Sequence, residues 1–200
     1  MRTLAIDCAT EACSVALFEG DTLVAGDWRV LGRGHAEQLV PMISVLPEKG
    51  RAERIVVSLG PGSFTGVRIG LAAARALGLA WKAQVLGYPT LALVAAMARE
   101  DRPGPVSVCM TGGHGEWFVQ EFGADGLPED TLRSLAPARA IVAHDTIAGT
   151  QAEALVQARG RGTALPLLPD ARKTRLLPAS LLTADLAPIY GRGPDARLPA

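Results

Sequence analysis

Aromatic residues are scarce: three Trp, two Tyr and four Phe make up 4% of the 200 residues. The core must therefore be aliphatic, and with 48% hydrophobic residues the chain has ample material for one. No charge of either sign is in excess. Twenty Lys and Arg face twenty Asp and Glu, which excludes a broad basic surface able to grip nucleic acid unaided. Cysteine is rare, and an odd count of three fits a reducing compartment better than a disulfide scaffold. Long apolar runs are missing too, because Arg68, Arg75, Lys82 and Pro89 break up the richest region before it reaches membrane-spanning length. No secretory signal is read in the opening residues, which pass from Met1-Arg2 straight into a strand-like run. The expectation is a soluble cytoplasmic protein. Of the three histidines, His35, His114 and His144, no two are four residues apart, so no helical pair of metal ligands forms and no metal is expected.

What is present reads as an α/β chain. Thr3–Ile6, Val15–Phe18 and Thr22–Ala25 predict a meander of three strands, with Gly20-Asp21 as its second turn. Ala36, Leu39, Val40, Ile43 and Leu46 fall on one helical stripe, which Pro41 should kink. Ile55–Leu59 predicts a buried strand, Phe64–Lys82 a long helix, Val85-Leu86 a brief strand, and Leu91–Arg99 a helix capped by Thr90. Strand and helix alternate after an antiparallel start, which predicts a mixed sheet under helices. Arg102-Pro103-Gly104-Pro105 marks a boundary between a lobe of residues 1–102 and a smaller one of 103–200. In the second, Val106–Cys109, Trp117–Val119 and Ala140–Ala143 predict strands, and 152–158 and 181–186 short helices. A Pro/Gly-rich tail follows from Gly160.

The sharpest motif is Gly60-Pro61-Gly62-Ser63-Phe64-Thr65-Gly66-Val67-Arg68, a glycine-rich turn between a strand and a helix. Such a turn collects backbone N–H groups at a helix N-terminus, which suits an anion. No Gly-Lys-Ser/Thr follows, so it is not a P-loop, and it lacks the dinucleotide spacing. A tight connection with Ser63 or Thr65 capping the helix needs the same residues. Cys8 and Cys13 flank the first turn, a spacing that allows them to approach each other across the hairpin. With no third or fourth ligand, they read as small hydrophobic residues.

The glycine segment resembles the hallmark of the TsaB (YeaZ) family, bacterial proteins of threonylcarbamoyladenosine synthesis on transfer RNA. Ala5–Leu17, His35–Pro41, Gly115–Phe118 and Pro188–Arg192 are similar to other stretches of that family. The resemblance implies an actin-like ATPase fold, that of the sugar-kinase, actin and heat-shock ATPase superfamily, in two lobes with the second reduced. It also implies a non-catalytic scaffold for a related catalytic subunit, TsaD, with an ATPase, TsaE, joining them and tRNA reached only through the complex. Asp7, Thr10 and Ser14 take the place where the superfamily's first hairpin holds phosphate. A second Asp-x-Gly-Gly loop and an adenosine loop are not found, so no tightly bound cofactor is expected, and ATP or ADP belongs at the complex interface if anywhere. The family's Asp-Ala-Arg stretch is replaced by Thr111-Gly112-Gly113-His114. A competing reading is a homodimeric ATP-dependent kinase or carbamoyltransferase acting alone. A peptidase would need a metal pair or a nucleophile–base pair, and neither is evident.

On the long helix, Arg68, Arg75 and Lys82 form one stripe and Gly66, Gly70, Ala74 and Gly78 another. Glycine costs about 1 kcal/mol relative to Ala inside a helix, so close approach of another backbone is expected. The expectation is that this stripe, together with Leu39, Ile43 and Leu46, docks TsaD, or a second copy when the chain is alone. The alternative is that the stripe lies against the chain's own sheet.

Overall fold

A computed structural model describes residues 1–191. Two five-stranded mixed sheets face each other. The first is ordered β3-β2-β1-β4-β5 and is built from β1 (Arg2–Asp7), β2 (Ala12–Glu19), β3 (Thr22–Val30), β4 (Arg54–Ser58) and β5 (Gln84–Tyr88). Its helices are α1 (His35–Ser44), α2 (Phe64–Trp81) and α3 (Thr90–Asp101). The second sheet is ordered β10-β9-β6-β7-β8, from β6 (Val106–Thr111), β7 (Trp117–Phe122), β8 (Arg133–Leu135), β9 (Thr146–Ala148) and β10 (Thr163–Leu165), with α4 (Ala152–Arg159).

Alternation along the strands creates the layers. Leu4 and Ile6 of β1 enter a core with Leu39, Met42 and Ile43 of α1 and Val67, Leu71 and Ala74 of α2. Ala5, one residue out of phase, points the other way and joins Ala16, Val56 and the residues of α3, as the period of two in a strand requires. Val106, Val108 and Met110 of β6 reach the same core from the second sheet. Helix α3 is therefore buried between the sheets, which explains its long run of apolar residues. Cys109 and Val119 lie on the far face under α4. This is the actin-like architecture that the sequence resemblance implied.

Local expectations hold in most places. Gly20 turns the hairpin at φ +56. Three assignments are corrected. Thr90 does not cap α3; Pro89 holds the cap position, and the Thr90 hydroxyl bonds Ser58 Oγ at 2.7 Å. Ala140–Ala143 is not a strand, because side chains take its backbone groups: Ala143 N–H donates to Glu121 and Ile141 O accepts from Arg133. Residues 181–186 are not a helix. After a short turn at Ala179–Leu181, Thr183 pairs with Gly87 at the free edge of β5.

The stretch after β10 is more than a surface tail. It returns to the first sheet, where Trp28 Nε1 donates to Pro169 O at 3.2 Å and Ala171 N–H donates to Ser14 Oγ at 2.9 Å. Further on, Arg75 bonds Leu186 O and Arg68 bonds the Tyr190 hydroxyl, each at 3.0 Å.

Candidate functional site

The first hairpin turn, the glycine segment and the loop after β6 converge on a cleft of about 990 Å³. Each wall has a local cause. Ser63 caps α2 by accepting from Gly66 N–H at 3.2 Å, and its own N–H donates to Ala9 O at 2.7 Å. Gly62 and Gly66 lie so close to that turn that a Cβ on either would overlap the Ala9 or Cys8 carbonyl oxygen. Only residues without a side chain let the helix seat there. Gly60 bends the backbone at φ +94 into the cis Gly60–Pro61 bond. At the cleft, Arg68 stacks its guanidinium 3.4 Å from the centre of the Phe64 ring.

Three motif residues do not gather as a phosphate site. Thr10 lines the cleft, with its hydroxyl accepting from Ala12 N–H at 3.2 Å. Asp7 and Ser14, a facing pair in the strand register, are 1% and 0% exposed. Asp7 accepts from Ala9 N–H and from the Tyr88 hydroxyl, both at 2.9 Å, and Ser14 is taken by Ala171. The returning segment covers the face toward which Asp7 and Ser14 point. Burial raises the Asp7 carboxyl to about 6, against hydrogen bonds that lower it. Of the three expected nucleotide-site residues, the structure places Asp7 and Ser14 inside the protein with hydrogen-bond partners of their own, and Thr10 alone on the cleft wall.

The cleft itself is mostly apolar, with Val67, Met110, Phe118 and Ile189 among its walls. Among the described residues, Glu11 is its one carboxylate, and Arg68 and His114 its basic groups. A Mg²⁺–phosphate grip uses carboxylates together with phosphate oxygens, and this wall offers little to build one. Thr111-Gly112-Gly113-His114 forms the second-lobe side, where Gly112 N–H donates to Glu116 O at 2.7 Å. Among the described residues, no three His, Cys, Asp or Glu side chains are placed to hold a metal ion, and no helix is long and apolar enough to cross a membrane.

The proposed contact residues are corrected as well. Leu39, Ile43, Leu46, Gly66, Gly70, Ala74 and Gly78 are all buried within the chain's own first lobe. The small-residue stripe serves close packing of α2 on its own sheet. What faces outward is a different set: Val40 and Val45 at 63% and 74% exposure, with Phe64 and Leu79 of α2 at 56% and 85%. Leu79 shares its face with Arg68, Ala72 and Arg75, which are also exposed. The arginine stripe was the signal for this face, since it marks the side of the helix opposite the glycines.

The family model described as TsaD, tRNA N6-adenosine threonylcarbamoyltransferase, matches residues 29–168. The tRNA threonylcarbamoyladenosine biosynthesis protein TsaB of Escherichia coli is 37% identical over 131 residues, covering 62% of this chain and 56% of that protein. TsaB of Bacillus subtilis is 34% identical over 104 residues, 50% of this chain and 45% of that protein. The solved structure of YeaZ from Pseudomonas aeruginosa superposes with a TM-score of 0.81 at 30% identity, covering 94% of this chain and 99% of that one. The chain belongs to the TsaB (YeaZ) family. Its match spans about half the length of the two curated TsaB proteins. The TsaB-like segments His35–Pro41 and Gly60–Arg68 lie side by side around the first hairpin turn, with His35 Nε2 2.9 Å from Thr10 O. Arg192, the last residue of the fifth segment, lies outside the described residues.

Proposed function

We propose that this chain is a non-catalytic subunit in the synthesis of threonylcarbamoyladenosine on tRNA, and that it docks its catalytic relative, a TsaD-like protein, through the outer face of α1 and α2. One observation carries the reading: a helical face that exposes large apolar side chains, Leu79 at 85% among them, stands beside a cleft that the buried Asp7 does not line. A monomer gains nothing from holding such side chains in water. A second copy occupies the same face when the catalytic relative is absent, a TsaE-like ATPase joins the complex, and tRNA meets the chain only there, in the cytoplasm. Any ATP or ADP is held at the subunit interface. The rival reading, an ATP-dependent enzyme acting alone, is disfavoured because Asp7 is closed to the cleft.

The test is reconstitution with the catalytic relative from the same cell. The expected outcome is stable association and tRNA modification that depends on adding this chain, while the chain alone neither modifies tRNA nor releases phosphate from ATP above a heat-killed control. Turnover by the isolated chain that disappears in Asp7→Ala would overturn the scaffold reading.

A further inference from the structure

Cys8 and Cys13 stand on the two arms of the first hairpin, next to the closing register pair Asp7 and Ser14. Their sulfurs are 3.6 Å apart, and both thiols are free and buried. A disulfide has its sulfurs about 2.05 Å apart, so the pair lies about 1.5 Å short of a bond. Cys109, the third cysteine, is packed in a separate cluster under α4. We propose that Cys8 and Cys13 form a dithiol site that hydrogen peroxide converts into an intramolecular disulfide.

The step balances as two thiols and one peroxide giving one disulfide and two waters. The Cys13 sulfur attacks one peroxide oxygen, the O–O bond breaks, and the departing hydroxide takes the thiol proton as water. Cys13 is then a sulfenic acid. The Cys8 sulfur attacks the Cys13 sulfur, the S–O bond breaks, and the hydroxyl leaves with the Cys8 proton as the second water. The order of attack follows from the pair's own hydrogen bond, which holds the Cys13 thiol below its ordinary value and pushes Cys8 above it. The thiolate is the nucleophile, so Cys13 attacks and Cys8 resolves. Burial selects the oxidant. Thr10 and Glu11, between the two cysteines, line the cleft, so the pair lies just behind that wall, and its burial favours an oxidant little larger than water over a bulky disulfide. The bond would also fix the turn on which α2 is seated, since Ala9 O accepts from Ser63 N–H.

The experiment treats the full native chain with hydrogen peroxide, quenches with catalase, unfolds it and alkylates the remaining thiols. The tryptic peptide Thr3–Arg29 carries both cysteines. It should lose the mass of two hydrogens, accept no alkyl group, and recover both sites after dithiothreitol, while Cys109 stays fully alkylatable. In Cys8→Ser, dimedone should trap Cys13 as the sulfenic acid. Two alkylated thiols in that peptide, at a dose that fully oxidises free glutathione, would overturn the proposal. So would faster reaction at Cys109, or sulfinic acid at either site without a disulfide. If Cys8→Ser does not fold, the wild-type peptide mass decides alone.

Discussion

Tyr88 donates its hydroxyl to Asp7 Oδ2 at 2.9 Å, and both residues are buried. A carboxylate that stood free at the end of β1 would be offered to the cleft. Here it is a fastening between β1 and β5, completed by Ala9 N–H. Burial penalises its charge and raises the carboxyl to about 6.

That shift fixes a pH dependence. Below the ordinary value of 3.8 Asp7 is protonated folded or unfolded, and its stabilising share is fully present. Between about 4 and 6 the folded state keeps a proton that the unfolded chain releases, so stability falls as pH rises through this window. About two pH units at about 1.4 kcal/mol each give a loss on the order of 3 kcal/mol. Asp7→Asn should flatten this limb and leave stability at neutral pH unchanged or higher. Denaturant titrations at several pH values check it, and an unchanged limb in the variant would assign the titration elsewhere.

Ser14 should behave differently, because it is a neutral partner whose loss strands a donor. Ser14→Ala leaves the Ala171 N–H buried without an acceptor. The expected cost is about 1–3 kcal/mol, seen as a lower denaturation midpoint. Proteolysis in the returning segment should rise with it. Thr10→Ala, at the cleft wall, should cost less than Ser14→Ala.

The glycines of α2 separate by what lies opposite them. A Cβ at Gly66 would overlap the Cys8 carbonyl oxygen, whereas one at Gly70 would meet Val57, Cys8 and Ile6 at 3.5–3.7 Å, ordinary contact. Gly66→Ala should therefore be strongly destabilising. Gly70→Ala should be neutral or stabilising by up to about 1 kcal/mol, the helix-propensity gain. Thermal melts of the two variants decide it, and equal midpoints would contradict this packing.

Much of this was legible from the residues. The meander, the two long helices and the glycine turn follow from periodicity and from glycine's tolerance of close contact, both local properties. The direction of a small-residue stripe is not local: Gly66, Gly70, Ala74 and Gly78 require a near backbone without saying whose. The fates of Asp7 and Ser14 were equally hidden, because Ser14's partner Ala171 lies 157 residues away. Ala140–Ala143 failed as a strand for the same reason, its backbone partners being the side chains of Glu121 and Arg133.

The outer helical face is tested by charge. Leu79 is 85% and Val40 63% exposed, so Leu79→Asp and Val40→Asp should change stability by no more than about 0.5 kcal/mol, as surface substitutions do. Docking a partner on this face would take the new carboxylate out of water, a cost of several kcal/mol that Arg75, on the face of Leu79 and already bonded to Leu186 O, offsets only in part. Since about 1.4 kcal/mol is tenfold in affinity, association with the catalytic relative should weaken at least tenfold, and self-association likewise. Gly70→Leu gives the opposite pattern. Its side chain would be driven into Val57 and Ile6, so the melting temperature should fall and association be lost only with the fold. Light scattering beside thermal melts reads both quantities. A Leu79→Asp chain that melts normally and binds as tightly as the parent would remove this face from the interface.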